Sequence, residues 1–102
     1  MVTAYHSIHI DREMIATFCH RHGVRRLSLF GSILRPDFRA ASDIDVLVEF
    51  DEGQTPSLMD LGGMQVELSE MFGREVDLKT PGFLSQRIRH RVMSEAVVQY
   101  AA

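Results

Sequence analysis

The sequence predicts a mixed α/β (α+β) domain in which helices cover one face of a small sheet and acidic side chains lie on the other. Two observations support this prediction. Apolar residues follow helical and strand spacing in the order α-β-(short α)-β-α-β-α. In a strand over residues 43–50, Ile44 and Val46 point one way, whereas Asp43 and Asp45 point the other.

The composition limits the class of protein. A net charge of -3 argues against nucleic acid as the main partner, because binding to a phosphate backbone needs a basic face. The single cysteine, Cys19, excludes an internal disulfide and is typical of the cytosol. No apolar run approaches the ~20 residues that a membrane-spanning helix needs, and the start is too polar for a signal peptide. We therefore expect one cytoplasmic domain over residues 1–102.

The boundaries of the first elements are predicted from helix caps, glycine and proline. Residues 1–9 show no clear period and are predicted to be a flexible or docking tail. Asp11 is the expected N-cap of a helix that Gly23 ends in the left-handed conformation. A strand over residues 24–30 follows, and then a short helix over residues 32–36 that a proline cuts off.

The second half contains a helix, a strand and a closing helical segment. Thr55-Pro56 is the expected start of a helix that runs to about Phe72 and ends at Gly73. Residues 74–79 are predicted to form the third strand. Residues 83–100 are predicted to form one or two closing helices.

Two kinds of chemistry meet between Gly31 and Asp45. The free N–H groups after Gly31-Ser32 favour a phosphate, and the serine hydroxyl adds a donor. Asp43 and Asp45, at alternate positions of a strand, suit a divalent metal ion. Asp77 stands beside them if the second and third strands are neighbours at ~4.8 Å.

Three clustered carboxylates repel one another, and a hard cation relieves the repulsion. Mg²⁺ prefers one or two carboxylates together with substrate phosphates. Two Mg²⁺ ions ~3.5–4 Å apart would be bridged by Asp43 and Asp45, and Asp77 would hold the second ion and take a proton from an attacking hydroxyl. The pattern therefore favours phosphoryl or nucleotidyl transfer.

Three segments, Phe30–Arg35, Ser42–Val48 and Glu75–Leu78, resemble the DNA polymerase β-type nucleotidyltransferase superfamily. The closer resemblance, both in these segments and in size, is to the minimal nucleotidyltransferase (MNT) domains, the antitoxin partners of HEPN-domain toxins. This resemblance implies a polymerase β-like nucleotidyltransferase fold with a mixed sheet. It also implies ATP and Mg²⁺, and transfer of AMP to a tyrosine of a HEPN toxin.

The resemblance also implies roles for single residues. The triphosphate is expected at Gly31 and Ser32, and the metal-binding catalytic acids are expected to be Asp43, Asp45 and Asp77. Arg35 is a further candidate for phosphate binding, although a salt bridge from it to a strand acid is an equally good interpretation. Lys79 shares the acidic face, but a solvated strand end is the more probable interpretation for it. Pro36 departs from the glycine of many relatives.

Three functions stay open. The first is an MNT antitoxin that adenylylates its HEPN toxin. The second is a non-catalytic antitoxin that neutralises the toxin by binding, and the third is a small-molecule nucleotidyltransferase. The few residues after the third strand leave the acidic face open, so we expect the acceptor to come from a second protein in a hetero-oligomer.

Overall fold

The computed structural model describes residues 2–6, 8–39 and 41–102. Within these residues the elements are, in chain order, β1 (Val2–Tyr5), β2 (Ile8–Asp11), α1 (Arg12–His22), β3 (Val24–Phe30), a 3₁₀ turn (Gly31–Leu34), β4 (Ile44–Phe50), α2 (Leu58–Phe72), β5 (Val76–Lys79), a second 3₁₀ turn (Pro81–Phe83), α3 (Gln86–Glu95) and β6 (Val97–Ala101). The predicted mixed α/β architecture is confirmed, and the short helix expected at residues 32–36 is a 3₁₀ turn that begins at Gly31.

The larger sheet has the strand order β5-β4-β3-β6. Strand β4 pairs in parallel with β5, whereas β3 pairs antiparallel with both β4 and β6. The sheet is therefore mixed. Strands β1 and β2 form a separate antiparallel pair.

Helices α1 and α2 bury their apolar residues against one face of this sheet. The core is formed mainly by side chains of α1, β3, β4 and α2, among them Ile15, Phe18, Leu27, Leu29, Val46, Val48, Met64 and Leu68. On the face that carries Asp45, Leu47 and Ser28 are also buried. Strands β5 and β6 are the two edges of the sheet, so the chain between them has to pass over β4 and β3. The burial of Leu47 and Ser28 indicates that it passes over the face that carries Asp45.

The predicted caps of α1 are confirmed. The Asp11 side chain accepts hydrogen bonds from the N–H groups of Glu13 and Met14, at 3.0 and 3.3 Å. Gly23 ends α1 and Gly73 ends α2, each in the left-handed conformation. The hydrogen bonds to Asp11 satisfy N–H groups that the first turn of α1 leaves unpaired.

The expected start of α2 at Thr55-Pro56 is wrong. The N-cap is Ser57, whose hydroxyl accepts from the Asp60 N–H while the Asp60 carboxylate accepts from the Ser57 N–H. This reciprocal pair satisfies two backbone donors at once. It therefore outweighs a lone threonine cap followed by proline.

The predicted tail at residues 1–9 is also corrected, although residues 1 and 7 lie outside the described residues. Val2–Tyr5 pairs with Ile8–Asp11, so this part of the chain is a hairpin. Ile8 and Ile10 are buried and His9 between them is exposed, which is the alternation of a strand. Four residues are too few for this period to be recognised in the sequence.

The closing segment is helical only in part. Residues 86–95 form α3, but Val97–Ala101 forms β6 and pairs with β3. The expectation of helices over residues 83–100 is therefore wrong at its C-terminal end. The β-branched pair Val97-Val98 favours a strand, and the neighbouring β3 supplies its hydrogen-bond partners. No helix within the described residues has the length and apolar character to cross a membrane.

Candidate active site

The strand register brings two of the three predicted acids together. Asp45 in β4 and Asp77 in β5 are direct partners in the parallel pair. Neighbouring strands lie ~4.8 Å apart, and side chains at paired positions share a face. The expectation that Asp77 stands beside the acids of the second strand is therefore confirmed for Asp45. Asp43 precedes β4 by one residue and is exposed.

The electrostatics of Asp45 show that the acids act on one another. Burial raises the pKa of the Asp45 carboxyl, and the negative charges of Asp77 and then Asp43 raise it further. A hydrogen bond from the Ser32 N–H and the positive charge of Lys79 oppose this rise in pKa without cancelling it. The folded chain thus holds a carboxylate whose ionisation its surroundings disfavour. A bound cation would reverse that preference.

The turn at Gly31 is built against this carboxylate. Gly31 has a φ of +75°, and a Cβ at this position would lie 2.2 Å from Asp45 Oδ2. Phe30, just before it, pairs with Asp45 in the sheet. Both the left-handed backbone and the lack of space demand glycine here. The triphosphate is expected at Gly31 and Ser32, and the group that lies against the Gly31 backbone in the structure is the Asp45 carboxylate.

The basic side chains near the acids behave differently from one another. Lys79 Nζ lies 3.3 Å from Asp77 Oδ1, in a pair whose side chains are both about two-fifths exposed. Arg35 is exposed and forms an ion pair with none of the described residues. The salt bridge that was one interpretation of Arg35 is therefore absent from the described structure. Its role in phosphate binding stays a prediction.

The donor set of the acids fits a metal ion that is shared with a substrate. Among the described residues no group of three or more His, Cys, Asp or Glu side chains could by itself hold a metal ion. The adjacent carboxylates of Asp45 and Asp77 meet the smaller requirement of Mg²⁺, which takes one or two carboxylates and completes its shell with phosphates and water. Burial, and then the negative charges of Asp77 and Asp43, raise the pKa of Asp45, and a cation bound beside it would favour its ionised form.

Sequence reasoning missed the residues that hold the loop between the Gly31 turn and the acids. Phe38 in this loop contacts both His6 and Arg74. The ring centroids of His6 and Phe38 are 5.0 Å apart, and Arg74 Cζ lies 4.8 Å from the Phe38 centroid. A large aromatic residue in a loop whose other apolar residues are small was the available signal. His6 and Arg74 gave none, because their closeness to Phe38 arises only in the folded chain.

Comparisons with known sequences identify a family and related proteins. The model of the nucleotidyltransferase domain family matches residues 11–98. A Methanocaldococcus jannaschii protein, MJ0435, named as a candidate protein adenylyltransferase, is 46% identical over 86% of this chain and 91% of its own length. Protein adenylyltransferase MntA of Thermococcus cleftensis is 36% identical over 76% of each chain.

Two solved structures are similar in fold. One, of a candidate minimal nucleotidyltransferase, has a TM-score of 0.70 and 38% identity, covering 84% of this chain and 86% of the other. The second is the complex of a tri-AMPylated HEPN toxin from Shewanella oneidensis with its MNT antitoxin. It matches with a TM-score of 0.65 and 17% identity over 89% of this chain and 70% of the other, and at that identity it shows the fold alone.

Proposed function

The chain belongs to the nucleotidyltransferase domain family, and from this premise we propose that it is a Mg²⁺-dependent protein adenylyltransferase. It transfers AMP from ATP to a tyrosine hydroxyl of a HEPN-domain toxin and so acts as an antitoxin. The observation that carries the proposal is the pairing of Asp45 with Asp77 directly beside the Gly31-Ser32 turn. The names of the sequence relatives, protein adenylyltransferases, support the type of reaction and a protein acceptor. The tri-AMPylated toxin in the Shewanella oneidensis complex is the precedent for a HEPN acceptor.

Each residue of the site has a role in this reaction. The acids that hold Mg²⁺ are Asp43, Asp45 and Asp77, and the residues that bind the triphosphate are Gly31, Ser32 and Arg35. When bound, the metal ions neutralise the charge of the triphosphate. The hydroxyl oxygen of the acceptor forms a bond to the α-phosphorus, the bond from that phosphorus to the β-phosphate oxygen breaks, and pyrophosphate leaves. Asp77 takes the hydroxyl proton.

Ser32 has a second task in the proposal. Its N–H donates to the Asp45 carboxylate, so the phosphate-binding turn and the metal-binding strand are linked by a hydrogen bond. Charge-assisted hydrogen bonds of this kind are stronger than neutral ones. The triphosphate and the metal site are thereby held in one geometry, which phosphoryl transfer needs more than any covalent chemistry from the protein.

The acceptor comes from a second protein because the described chain does not enclose the acids. Asp43 is exposed, and Asp77 is about two-fifths exposed. Ligand sites commonly bury ~70–90% of a small ligand, and an open site of this kind needs a partner to reach that figure. We place the hetero-oligomer in the cytoplasm, and the net charge of -3 disfavours nucleic acid as a direct partner.

Intact-mass spectrometry of the co-expressed HEPN protein tests the proposal. With ATP and Mg²⁺ the wild-type chain should add one or more AMP units to the toxin. The double variant Asp43→Asn/Asp45→Asn should lower the transfer rate at least ~10³-fold, because metal-assisted charge stabilisation supplies several kcal/mol. The control, Asp51→Asn/Glu52→Gln, changes two exposed acids outside the site and should transfer AMP normally.

Two outcomes would contradict the proposal. If the toxin gains no AMP and the double variant still neutralises it in cells, neutralisation occurs by binding. Efficient transfer of AMP to a small alcohol by the isolated chain would establish a small-molecule enzyme. A separate loss of toxin binding in the double variant, measured by pull-down, would show misfolding and would require the single variants.

A further inference from the structure

The loop between the Gly31 turn and the acids, described at residues 35–39 and 41–42, is closed by its own hydrogen bonds. The Arg39 N–H donates to Ser42 Oγ at 3.2 Å, and the Ser42 N–H donates to the Arg39 carbonyl at 3.0 Å. The Phe38 N–H donates to the Arg35 carbonyl at 3.3 Å. These bonds shape the loop but do not attach it to the rest of the chain.

Arg74 makes that attachment. Its Nη2 donates to the carbonyl oxygens of Arg39, at 3.0 Å, and Ser42, at 2.6 Å. Its guanidinium also lies over the Phe38 ring, 4.8 Å from the centroid, where a cation is attracted to the face of the ring. One side chain therefore holds the loop at two carbonyls and one ring.

His6 supports the same ring from the hairpin. Its imidazole lies 5.0 Å from the Phe38 centroid, and its Nε2 donates to the Ile33 carbonyl at 3.0 Å. Ile33 belongs to the 3₁₀ turn that begins at Gly31. The hairpin is thereby connected through His6 both to the phosphate-binding turn and to Phe38 of the loop.

The segment that carries Arg74 holds both neighbours of Asp43. On one side, Arg74 binds the carbonyl of Ser42. On the other side, the Glu75 carbonyl accepts from the Ile44 N–H at 2.9 Å. The peptide groups before and after Asp43 are thus fixed, while its carboxylate stays exposed to a ligand.

From these contacts we propose that Arg74 is a positioning residue for Asp43, a role that rests on the proposed function of the site. Arginine is suited to this because its planar group can stack on a ring while its N–H groups serve two carbonyls. Lysine keeps the charge but offers a compact ammonium without a face to stack. Arg74 acts through Ser42 and Phe38 and touches neither nucleotide nor acceptor.

The test compares Arg74→Lys with Arg25→Lys. Arg25 is exposed at the end of β3 farthest from the acids, so its variant controls for the change of side chain. Two readouts are needed: hydrogen–deuterium exchange of residues 36–43, and the kcat and KM for AMP transfer to the HEPN toxin.

In Arg74→Lys we expect the loop amides to exchange ~10-fold faster, while those of β3 and α1 stay as in the wild type. We expect kcat to fall ~10–100-fold, because small displacements of a catalytic group have effects of that size. The KM for ATP should change less than ~3-fold, since the Gly31-Ser32 turn keeps its hydrogen bond to Asp45. Arg25→Lys should match the wild type in both readouts.

Three results would overturn the role of Arg74. These are wild-type exchange of the loop, faster exchange throughout the chain, or unchanged kcat in spite of faster loop exchange. If Arg74→Lys does not fold, Phe38→Leu removes the ring and keeps an apolar side chain, and the same criteria apply to it. A wild-type chain that transfers no AMP refutes the proposed function, whereas active wild type with active Arg74→Lys refutes only the positioning.

Discussion

Strand β3 lies between two left-handed glycines whose neighbours differ. Gly23 precedes the strand with a φ of +67°, and Gly31 follows it with a φ of +75°. A Cβ at Gly23 would meet the exposed Gln54 side chain at 2.9 Å, whereas one at Gly31 would meet the Asp45 carboxylate at 2.2 Å. The same backbone conformation ends a helix at one end of the strand and makes room for the Asp45 carboxylate at the other.

The carboxylates near the two glycines differ in the direction of their pKa shifts. Near Gly23, burial tends to raise the pKa of Glu67, but hydrogen bonds from His22 and Arg21 together outweigh it and lower that pKa. Near Gly31, burial and like charges raise the pKa of Asp45. The charge of Glu67 is thus compensated by its hydrogen-bond partners. Asp45, in contrast, lies in surroundings that disfavour its ionised form, as acids at functional sites often do.

Replacing each glycine by alanine should give the largest difference in AMP transfer between the two ends of β3. Gly31→Ala should lower kcat/KM for AMP transfer at least ~10²-fold, since a Cβ displaces the Asp45 carboxylate. Gly23→Ala should leave transfer unchanged and cost ~1–2 kcal/mol of unfolding free energy, the strain of a left-handed alanine. Enzyme assays and urea denaturation of the same preparations measure both. Equal activity of the two variants would remove the functional distinction between the glycines.

The second prediction concerns the stability of the acidic end. Because the folded-state pKa of Asp45 is raised, its contribution to stability is fully present below the unfolded pKa and is lost as the pH rises through the folded pKa. Asp45→Asn removes this loss while an amide oxygen still accepts from Ser32. The variant should therefore be inactive yet have a Tm at neutral pH equal to or above that of the wild type.

Thermal unfolding from pH 3 to 7 measures this effect. The difference in Tm between Asp45→Asn and the wild type should grow in favour of the variant as the pH rises. The control is Asp37→Asn, which removes the same charge from an exposed acid in the loop. A variant that becomes less stable than the wild type at neutral pH would show that Asp45 serves the fold.

Elements with strong local signals could be predicted from the sequence. The boundaries of β3 and the caps Asp11 and Gly23 are confirmed, because a cap is decided within a few residues of chain. Strand parity was sufficient to place Asp77 beside Asp45, since alternation fixes which face each side chain occupies.

Elements that depend on distant partners could not be predicted. Strand β6 exists because β3, about seventy positions earlier in the chain, offers it an edge. The β-branched pair Val97-Val98 favours a strand, but two residues are too few to predict one without that edge. Likewise, Ile8 and Ile10 enter a core built by later segments. The attachment of Phe38 to Arg74 belongs to the same class, because it joins two loops through tertiary packing alone.

The smallest expected effect is at the Gly23 end. Because the folded-state pKa of Glu67 is lowered, its stabilisation is present above the unfolded pKa of 4.5 and is lost as the pH falls through the folded pKa. Glu67→Gln should therefore cost about 0.5–1 kcal/mol at pH 7 and progressively less in acid. The pH trend is thus opposite in sign to that predicted for Asp45.

Denaturation of Glu67→Gln beside Glu70→Gln checks this, because Glu70 is an exposed acid of the same helix and forms an ion pair with none of the described residues. AMP transfer should be unchanged in both variants, since Glu67 contacts the end of α1 and not the acids. A loss of transfer in Glu67→Gln at unchanged stability would mean that the two ends of the sheet are coupled, and that the Gly23 end has a functional role.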